Sequence, residues 1–308
     1  MSGPAATLPL EATRPRQWAG IVVLIACAAL WSLNGPLIKL LDQEDVPGVT
    51  IACYRSLIGG LVFLPLAGRR LRTLRRVRPI WPIATALTFT IMTGSFVIAN
   101  TLTEAANAIV LQYTSPIWVF VLAPLLLHER PGRADGLVLL ISMAGVGVIL
   151  LGNPPGHLPA LLIALLSGCG FGTLTVLLRV LRPVSPTAVA AMNAFGSGVL
   201  LLGPTIAWGQ VGLSGYATWL ILALALVQFT FPYLLFSWSL QRVEAHKAAL
   251  ILLLEPVLNP IWTYLVVGER PPAATLQGGP LILAGVLAWL LLAWRREQRA
   301  RALLRTPD

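Results

Sequence analysis

Two stretches of this 308-residue chain decide its fold: Glu104-Ala-Ala-Asn-Ala-Ile-Val-Leu-Gln-Tyr-Thr-Ser-Pro116 and Glu244-Ala-His-Lys-Ala-Ala-Leu-Ile-Leu-Leu-Leu-Glu-Pro256. They lie 140 residues apart, and at that offset Glu104 to Leu151 meets Glu244 to Leu291 without a gap. Ala105 meets Ala245, Ala108 meets Ala248, Pro116 meets Pro256 and Leu125 meets Leu265. Further on, Glu129-Arg130-Pro131 meets Glu269-Arg270-Pro271, and Ala144-Gly145-Val146 meets Ala284-Gly285-Val286. Shared apolar composition produces chance Leu and Ala matches; it does not readily align a Glu-Arg-Pro and a mid-segment proline. The same offset pairs Lys39 with Arg179. The chain is therefore one unit written twice.

Hydropathy says what the unit is. Hydrophobic residues make up 56% of the chain and charged residues 11%, against about 45–50% and about 25% in soluble domains. Mean hydropathy is +0.79. Such a chain is too apolar for disorder, and its 27 Gly lack a collagen period. Ten continuous apolar segments follow one another: 18–41, 48–67, 80–101, 106–127, 134–152, 158–180, 186–207, 217–240, 246–267 and 274–295. Each is close to the ~20 residues a helix needs to cross hydrocarbon. They do not alternate, and they are too long for barrel strands. The sequence predicts an all-α polytopic membrane protein with ten transmembrane helices, arranged as two inverted five-helix repeats. The expected layout is an N-terminal segment 1–17, a first repeat 18–153, a second repeat 157–296 and a basic tail 297–308. Segment 18–41 is longer than a signal-peptide core and lacks a clear cleavage site, so it is expected to be retained.

Charge placement sets the orientation. With the N-terminus in the cytoplasm, 19 of the 22 basic residues fall on the inner side, among them Arg69, Arg70, Arg72, Arg75, Arg76 and Arg78. Only Lys39 and Arg270 fall outside, with Arg55 inside segment two, while the acidic Asp42, Glu44 and Asp45 lie outside. Lys and Arg favour cytoplasmic loops, so an even helix count with both termini cytoplasmic is expected. Five helices per unit is odd, so the second unit enters from the opposite side. Repeats of that kind, related by a pseudo-two-fold axis in the membrane plane, underlie alternating access in secondary transporters. Trp18, Trp81, Trp208, Trp219 and Trp294 sit near segment ends, where indoles prefer the headgroup region. Cys27, Cys53 and Cys169 are odd in number and lie in apolar stretches, which suits core packing.

The doubled unit resembles the EamA repeat of the drug/metabolite transporter superfamily. The resemblance is carried by Ala29-Leu-Trp-Ser-Leu-Asn-Gly-Pro-Leu-Ile-Lys39, Ala105 to Pro116, His128-Glu-Arg-Pro131, Leu254-Glu-Pro256 and Gly268-Glu-Arg-Pro271, and covers about residues 18–296. It implies a secondary carrier of the bacterial inner membrane with its substrate cavity between the halves. Such carriers export amino acids, other metabolites or toxic compounds; some handle nucleotide sugars or lipid-linked groups.

Candidate site residues follow from polar groups at membrane depth. Glu255 lies near mid-membrane, where a charge costs roughly 2.5–3.5 kcal/mol on insertion scales and usually faces a cavity or a partner. Proton exchange, pairing with a cationic substrate group and a structural hydrogen bond are all open to it. Asn259, four residues on, shares its helix face; Gln112 and Ser115 occupy the related face of segment four. A central cavity formed by these four is the expectation, against plain interhelical hydrogen bonding. Pro116, Pro256 and Pro260 interrupt backbone hydrogen bonding at this depth and can expose carbonyls to substrate or ion, or simply kink the helices. Arg55 either snorkels to the outer surface or reaches inward to a carboxylate; snorkelling is the simpler reading. Lys39 reads as a helix-end residue. Trp31, Asn34 and Tyr113 are cavity-lining candidates, as are Trp118, Trp238 and Trp262. Gly145, Gly147, Gly168, Gly170, Gly172, Gly196 and Gly198 suit close helix approach.

Other classes fare poorly. The chain has no Gly-Lys-Ser/Thr phosphate loop, no His-Glu-x-x-His and no Gly-x-Ser-x-Gly. No metal site, cofactor or nucleic-acid partner is expected, and no enzymatic activity. The expected partners are a small-molecule metabolite, a proton or other coupling ion, and the bilayer. A polytopic lipid-handling protein, flippase or membrane enzyme, is the alternative.

Overall fold

A computed structural model describes residues 10–127, 133–243 and 245–303. The matched residues His128 to Pro131 and Glu244 lie outside these, as do Met1 to Pro9 and Leu304 to Asp308. Every regular element among the described residues is helical. Among the described residues, nine helical runs are long and apolar enough to cross a membrane. The predicted fifth segment is helical from Arg133 to Gly152, with a shorter apolar stretch at Leu139–Gly152.

The first repeat comprises α1 (Leu10–Ser32), α2 (Asn34–Gln43), α3 (Gly48–Ala67), α4 (Ile80–Leu102), α5 (Ala105–Gln112), α6 (Ser115–Leu127) and α7 (Arg133–Gly152). The second comprises α8 (Leu158–Val180), α9 (Pro186–Trp208), α10 (Gly215–Leu222), α11 (Phe231–Ser239), α12 (Ala245–Leu252), α13 (Leu254–Val267) and α14 (Ala273–Leu303). Equivalent helices pack on each other: α3 lies along α9, and α7 along α14, as two related units do across an axis between them. Matched residues also share surroundings. Leu125 is 69% exposed and Leu265 64%, both on the outer apolar surface that lipid covers.

Four predicted segments are not continuous α-helices. The first breaks at Leu33 between α1 and α2, the fourth at Tyr113–Thr114 between α5 and α6, and the ninth at Leu253 between α12 and α13. The eighth widens to a π-helix over Ala223–Thr230, where the Thr230 hydroxyl donates to the Ala225 carbonyl five residues back at 2.7 Å. The breaks at Tyr113 and Leu253 are 140 residues apart and follow the repeat. Proline supplies the cause, because it has no N–H for the carbonyl four residues back. Pro36 releases the Ser32 carbonyl and Pro256 that of Leu252. Pro116 and Pro256 therefore occupy the first turns of α6 and α13, where a missing N–H costs nothing, rather than helix interiors; Pro260 lies inside α13.

α8 approaches the α5–α6 break closely. A Cβ at Gly168 would collide with the Leu111 carbonyl, and one at Gly172 with the Ser115 carbonyl. Gly145 and Gly198 sit at similar approaches, whereas a Cβ at Gly147 would meet nothing.

Candidate functional site

The three helix breaks and the π-helix converge. Trp31 and Asn34 flank the first break, Gln112 and Tyr113 the second, Glu255 follows the third, and Gln228 comes from the π-helix. Together with Arg55, Met92, Thr93, Phe96, Phe171, Phe229 and Tyr233 they line one cavity of about 130 Å³. Helix interruption at membrane depth frees backbone polar groups that hydrocarbon cannot satisfy, so it persists only where protein or a cavity receives them.

Here side chains from the other repeat receive them. The carbonyl of Ser32, freed by Pro36, accepts from Asn259 Nδ2 at 3.2 Å. The carbonyl of Leu252, freed by Pro256, lies 3.2 Å from the Tyr113 hydroxyl. That hydroxyl is also 3.0 Å from Glu255 Oε2; with one proton, it donates to one of the two at a time. Asn34 Nδ2 donates to Glu255 Oε1 at 3.3 Å, and Asn34 Oδ1 accepts from Asn259 Nδ2 at 2.5 Å. An unbroken polar chain thus runs from Asn259 through Asn34 and Glu255 to Tyr113, crossing between repeats three times.

Arg55 faces this chain across the cavity. It does not snorkel: only 5% of its surface is exposed. One guanidinium nitrogen, Nη2, donates to Thr93 Oγ1. Its Cζ lies 5.4 Å from the Phe229 ring centroid, within cation–π range. Among the described residues, Arg55 Nε has no hydrogen-bond partner, and neither has Gln228 Oε1, whose Nε2 donates to the Trp31 carbonyl at 3.0 Å. No ion pair joins Arg55 to Glu255 among the described residues. A buried cation and a half-buried carboxyl group therefore share one cavity without neutralising each other directly.

Phe229 and Tyr233 also line a second, larger cavity of about 480 Å³ with Phe63, Phe89, Leu174, Asn193 and Phe236. Its rim carries Arg182, Val184, Pro186 and Thr187, at the end of the molecule that holds the arginine-rich connection. Tyr233 stacks edge-on to Trp31 and Phe229, with centroids 5.3 and 5.4 Å apart. Phe229 and Tyr233 stand between the two cavities, a polar chamber and an aromatic vestibule.

The opposite end is tied together. Lys39 Nζ lies 2.8 Å from Glu269 Oε2 and donates to the Thr103 carbonyl at 2.8 Å. Glu269 Oε1 accepts from the Ala105 N–H at 2.8 Å. Lys39, Thr103 and Ala105 belong to the first repeat and Glu269 to the second. Lys39 is thus more than a helix-end residue. Nearby, the Tyr54 hydroxyl donates to the Val211 carbonyl at 2.6 Å, and the Gln210 N–H to Thr50 Oγ1 at 2.9 Å.

Of the residues singled out in the sequence, Glu255, Gln112, Tyr113, Trp31, Asn34 and Arg55 line the chamber. Asn259 is fully buried behind Asn34 and acts on the chamber through it. Ser115 is absent from the lining, its carbonyl pressed against Gly172. Trp118, Trp238 and Trp262 are not in the lining either; Trp238 stacks under Arg242, whose Cζ is 3.6 Å from the ring centroid. Met92, Thr93, Phe96, Phe171, Gln228, Phe229 and Tyr233 complete the chamber, and the sequence pattern did not single them out. Gln228 carried a signal, as an amide inside a long uncharged apolar run. No cluster of three His, Cys, Asp or Glu side chains exists among the described residues.

Three comparisons with known proteins agree. An uncharacterized transporter of Archaeoglobus fulgidus is 28% identical over 251 residues, covering 80% of this chain and 87% of that protein. The Bacillus subtilis uncharacterized transporters YdfC and YvbV are 27% and 25% identical, covering 83% and 92% of this chain and 86% and 94% of their own lengths. One crystal structure superposes with a TM-score of 0.62 at 21% identity, over 90% of this chain and 97% of its own, and supports the fold alone. The EamA-like transporter family matches residues 18–151 and again residues 158–291. With both repeats matched, the chain belongs to the EamA-like transporter family.

Proposed function

We propose that this transporter is a secondary carrier with ten crossings and both termini cytoplasmic, set in a bacterial inner membrane, which exports a small zwitterionic solute of amino-acid type in exchange for protons. The observation that carries this reading is the joint presence of Arg55 and Glu255 in one chamber without an ion pair between them. Arg55 offers a guanidinium fork suited to a substrate carboxylate. Glu255 offers a carboxylate to an ammonium group. The aromatic vestibule offers apolar surface to the rest of the molecule.

Alternating access requires one end open while the other is shut. The vestibule reaches the arginine-rich end, and the Lys39–Glu269 tie spans the repeats at the far end. This supports an inward-facing state. Opening outward would break the tie and move the second repeat against the first, with the small residues of α8 sliding along α5–α6.

Coupling follows from one exchangeable proton on the Glu255 carboxyl group, to which the Tyr113 hydroxyl responds by turning its own proton. When Glu255 is ionised, the Tyr113 hydroxyl and the Asn34 amide both donate to it, and an ammonium completes its shell. When Glu255 is protonated, it needs no cation, and the Tyr113 proton turns to the Leu252 carbonyl beside the helix break. Substrate amine and proton would then compete for one carboxylate, which makes the exchange obligatory.

Counterflow in vesicles reconstituted with purified protein tests this. Vesicles loaded with an unlabelled amino acid are expected to accumulate the labelled one, and Arg55→Gln to abolish accumulation. Movement of labelled lipid without any solute flux would overturn the reading in favour of lipid handling.

A further inference from the structure

Six arginines, Arg69, Arg70, Arg72, Arg75, Arg76 and Arg78, fall in the short connection between α3 and α4. Most of it, Gly68–Arg76, winds as a 3-10 strap. All six side chains are exposed. Leu71, Leu74 and Val77 turn the other way and pack on Leu181, Val184, Ala188 and Val189. The strap is fastened to the α8–α9 connection: the Ser185 N–H donates to Thr73 Oγ1 at 3.0 Å, and Arg70 and Arg76 reach Thr187 Oγ1 and the Pro183 carbonyl, each at 3.4 Å. No ion pair involves any of the six among the described residues.

The flanks fix the depth. Leu66 just before the strap, and Ile80 and Ile83 just after it, are large, apolar and exposed. In a membrane protein hydrocarbon covers such side chains. The arginines therefore begin where the hydrocarbon ends, at the level of lipid phosphates. We propose that this strap is a docking surface for the phosphate headgroups of anionic lipids. Charge-based topology needs only positive charge in this connection; it does not need six exposed guanidiniums that form no ion pair among the described residues, with the leucines turned inward. Guanidinium pairs phosphate oxygens bidentately, and each basic residue near an anionic surface strengthens attraction about fivefold. Because the strap is bonded to Pro183–Thr187, which borders the vestibule, bound headgroups would steady the rim of the substrate path.

The test uses the purified full chain in neutral-detergent micelles and follows its unfolding midpoint. Doping with phosphatidylglycerol is expected to raise the midpoint by several degrees, and phosphatidylcholine or inorganic phosphate is not. Replacing the four arginines without bonds to the chain (R69Q/R72Q/R75Q/R78Q) is expected to remove most of the shift, while the matching four-lysine variant keeps the larger part of it. A full shift in the glutamine variant, an equal shift with phosphatidylcholine, or one reproduced by inorganic phosphate or soluble polyglutamate would each overturn the proposal. If the glutamine variant fails to fold, the wild-type and lysine arms still decide: no phosphatidylglycerol-specific shift in either refutes it. Flux is not read, so failure here leaves the carrier reading untouched.

Discussion

Replacing Glu269 by glutamine should loosen the end of the molecule that is now shut. Glu269 accepts two hydrogen bonds at 2.8 Å, one from Lys39 and one from the Ala105 N–H. The side chains of Lys39 and Glu269 are 13% and 19% exposed, so the pair is neither a surface bridge worth about 0–1 kcal/mol nor a fully buried one whose disruption costs about 3–5 kcal/mol. Glutamine keeps an acceptor for Ala105 but leaves Lys39 with the Thr103 carbonyl alone. A loss of about 1–3 kcal/mol between these limits is expected. It falls only on the closed arrangement, since the pair must part for that end to open, and it shifts the equilibrium toward opening by about 5- to 150-fold. The assay is labelling of a cysteine placed at Gln112, in a background with Cys27, Cys53 and Cys169 replaced, by an impermeant maleimide added from the Lys39 side. Labelling should accelerate by at least fivefold in Glu269→Gln. The charge exchange Lys39→Glu with Glu269→Lys should restore much of the slow rate. An unchanged rate in Glu269→Gln would refute the assignment of this pair as the closure.

Other perturbations read other parts of the account. Arg55→Lys keeps the charge but loses the fork, and should weaken substrate binding by about 10- to 100-fold in a thermal-shift titration, less than the roughly 2–5 kcal/mol that outright truncation of a charge pair costs. Tyr113→Phe removes one donor to Glu255 and should slow exchange about tenfold, as expected for a hydrogen bond to a charged group, with the unfolding midpoint nearly unchanged. Gly168→Leu drives a side chain into the Leu111 carbonyl at the α5–α6 break, and should lower the unfolding midpoint by several degrees through overpacking; no drop would mean that α8 does not lie so close.

The repeat and the apolar segments were legible because both are statements about spacing and hydropathy, which the bilayer enforces directly. The chamber was legible where a polar residue sat at membrane depth, as with Glu255, Asn34 and Gln112. It was not legible where local geometry departs from a regular helix. Gln228 lies on a π-turn, so a 3.6-residue period assigns it the wrong face. The prolines announced interruptions, but their neighbours decided where the helices break, through partners for the Ser32 and Leu252 carbonyls that come from the other repeat. Arg55 lies seven residues into its segment, about 10 Å at 1.5 Å per residue, a depth from which a long side chain can reach either way. Thr93 and Phe229, on distant segments, draw it inward. The partnership of Lys39 with Glu269 spans 230 positions. Its trace in the sequence was indirect: the offset equates Lys39 with another cation, Arg179, and Glu269 with another acid, Glu129.

The most direct test is uphill transport in vesicles under an imposed pH gradient, comparing wild type with Glu255→Gln, alongside exchange of labelled for unlabelled solute at equal pH. The account predicts gradient-driven accumulation by wild type and none by Glu255→Gln, with the variant's residual exchange indifferent to pH. Accumulation by Glu255→Gln at the wild-type rate would contradict it.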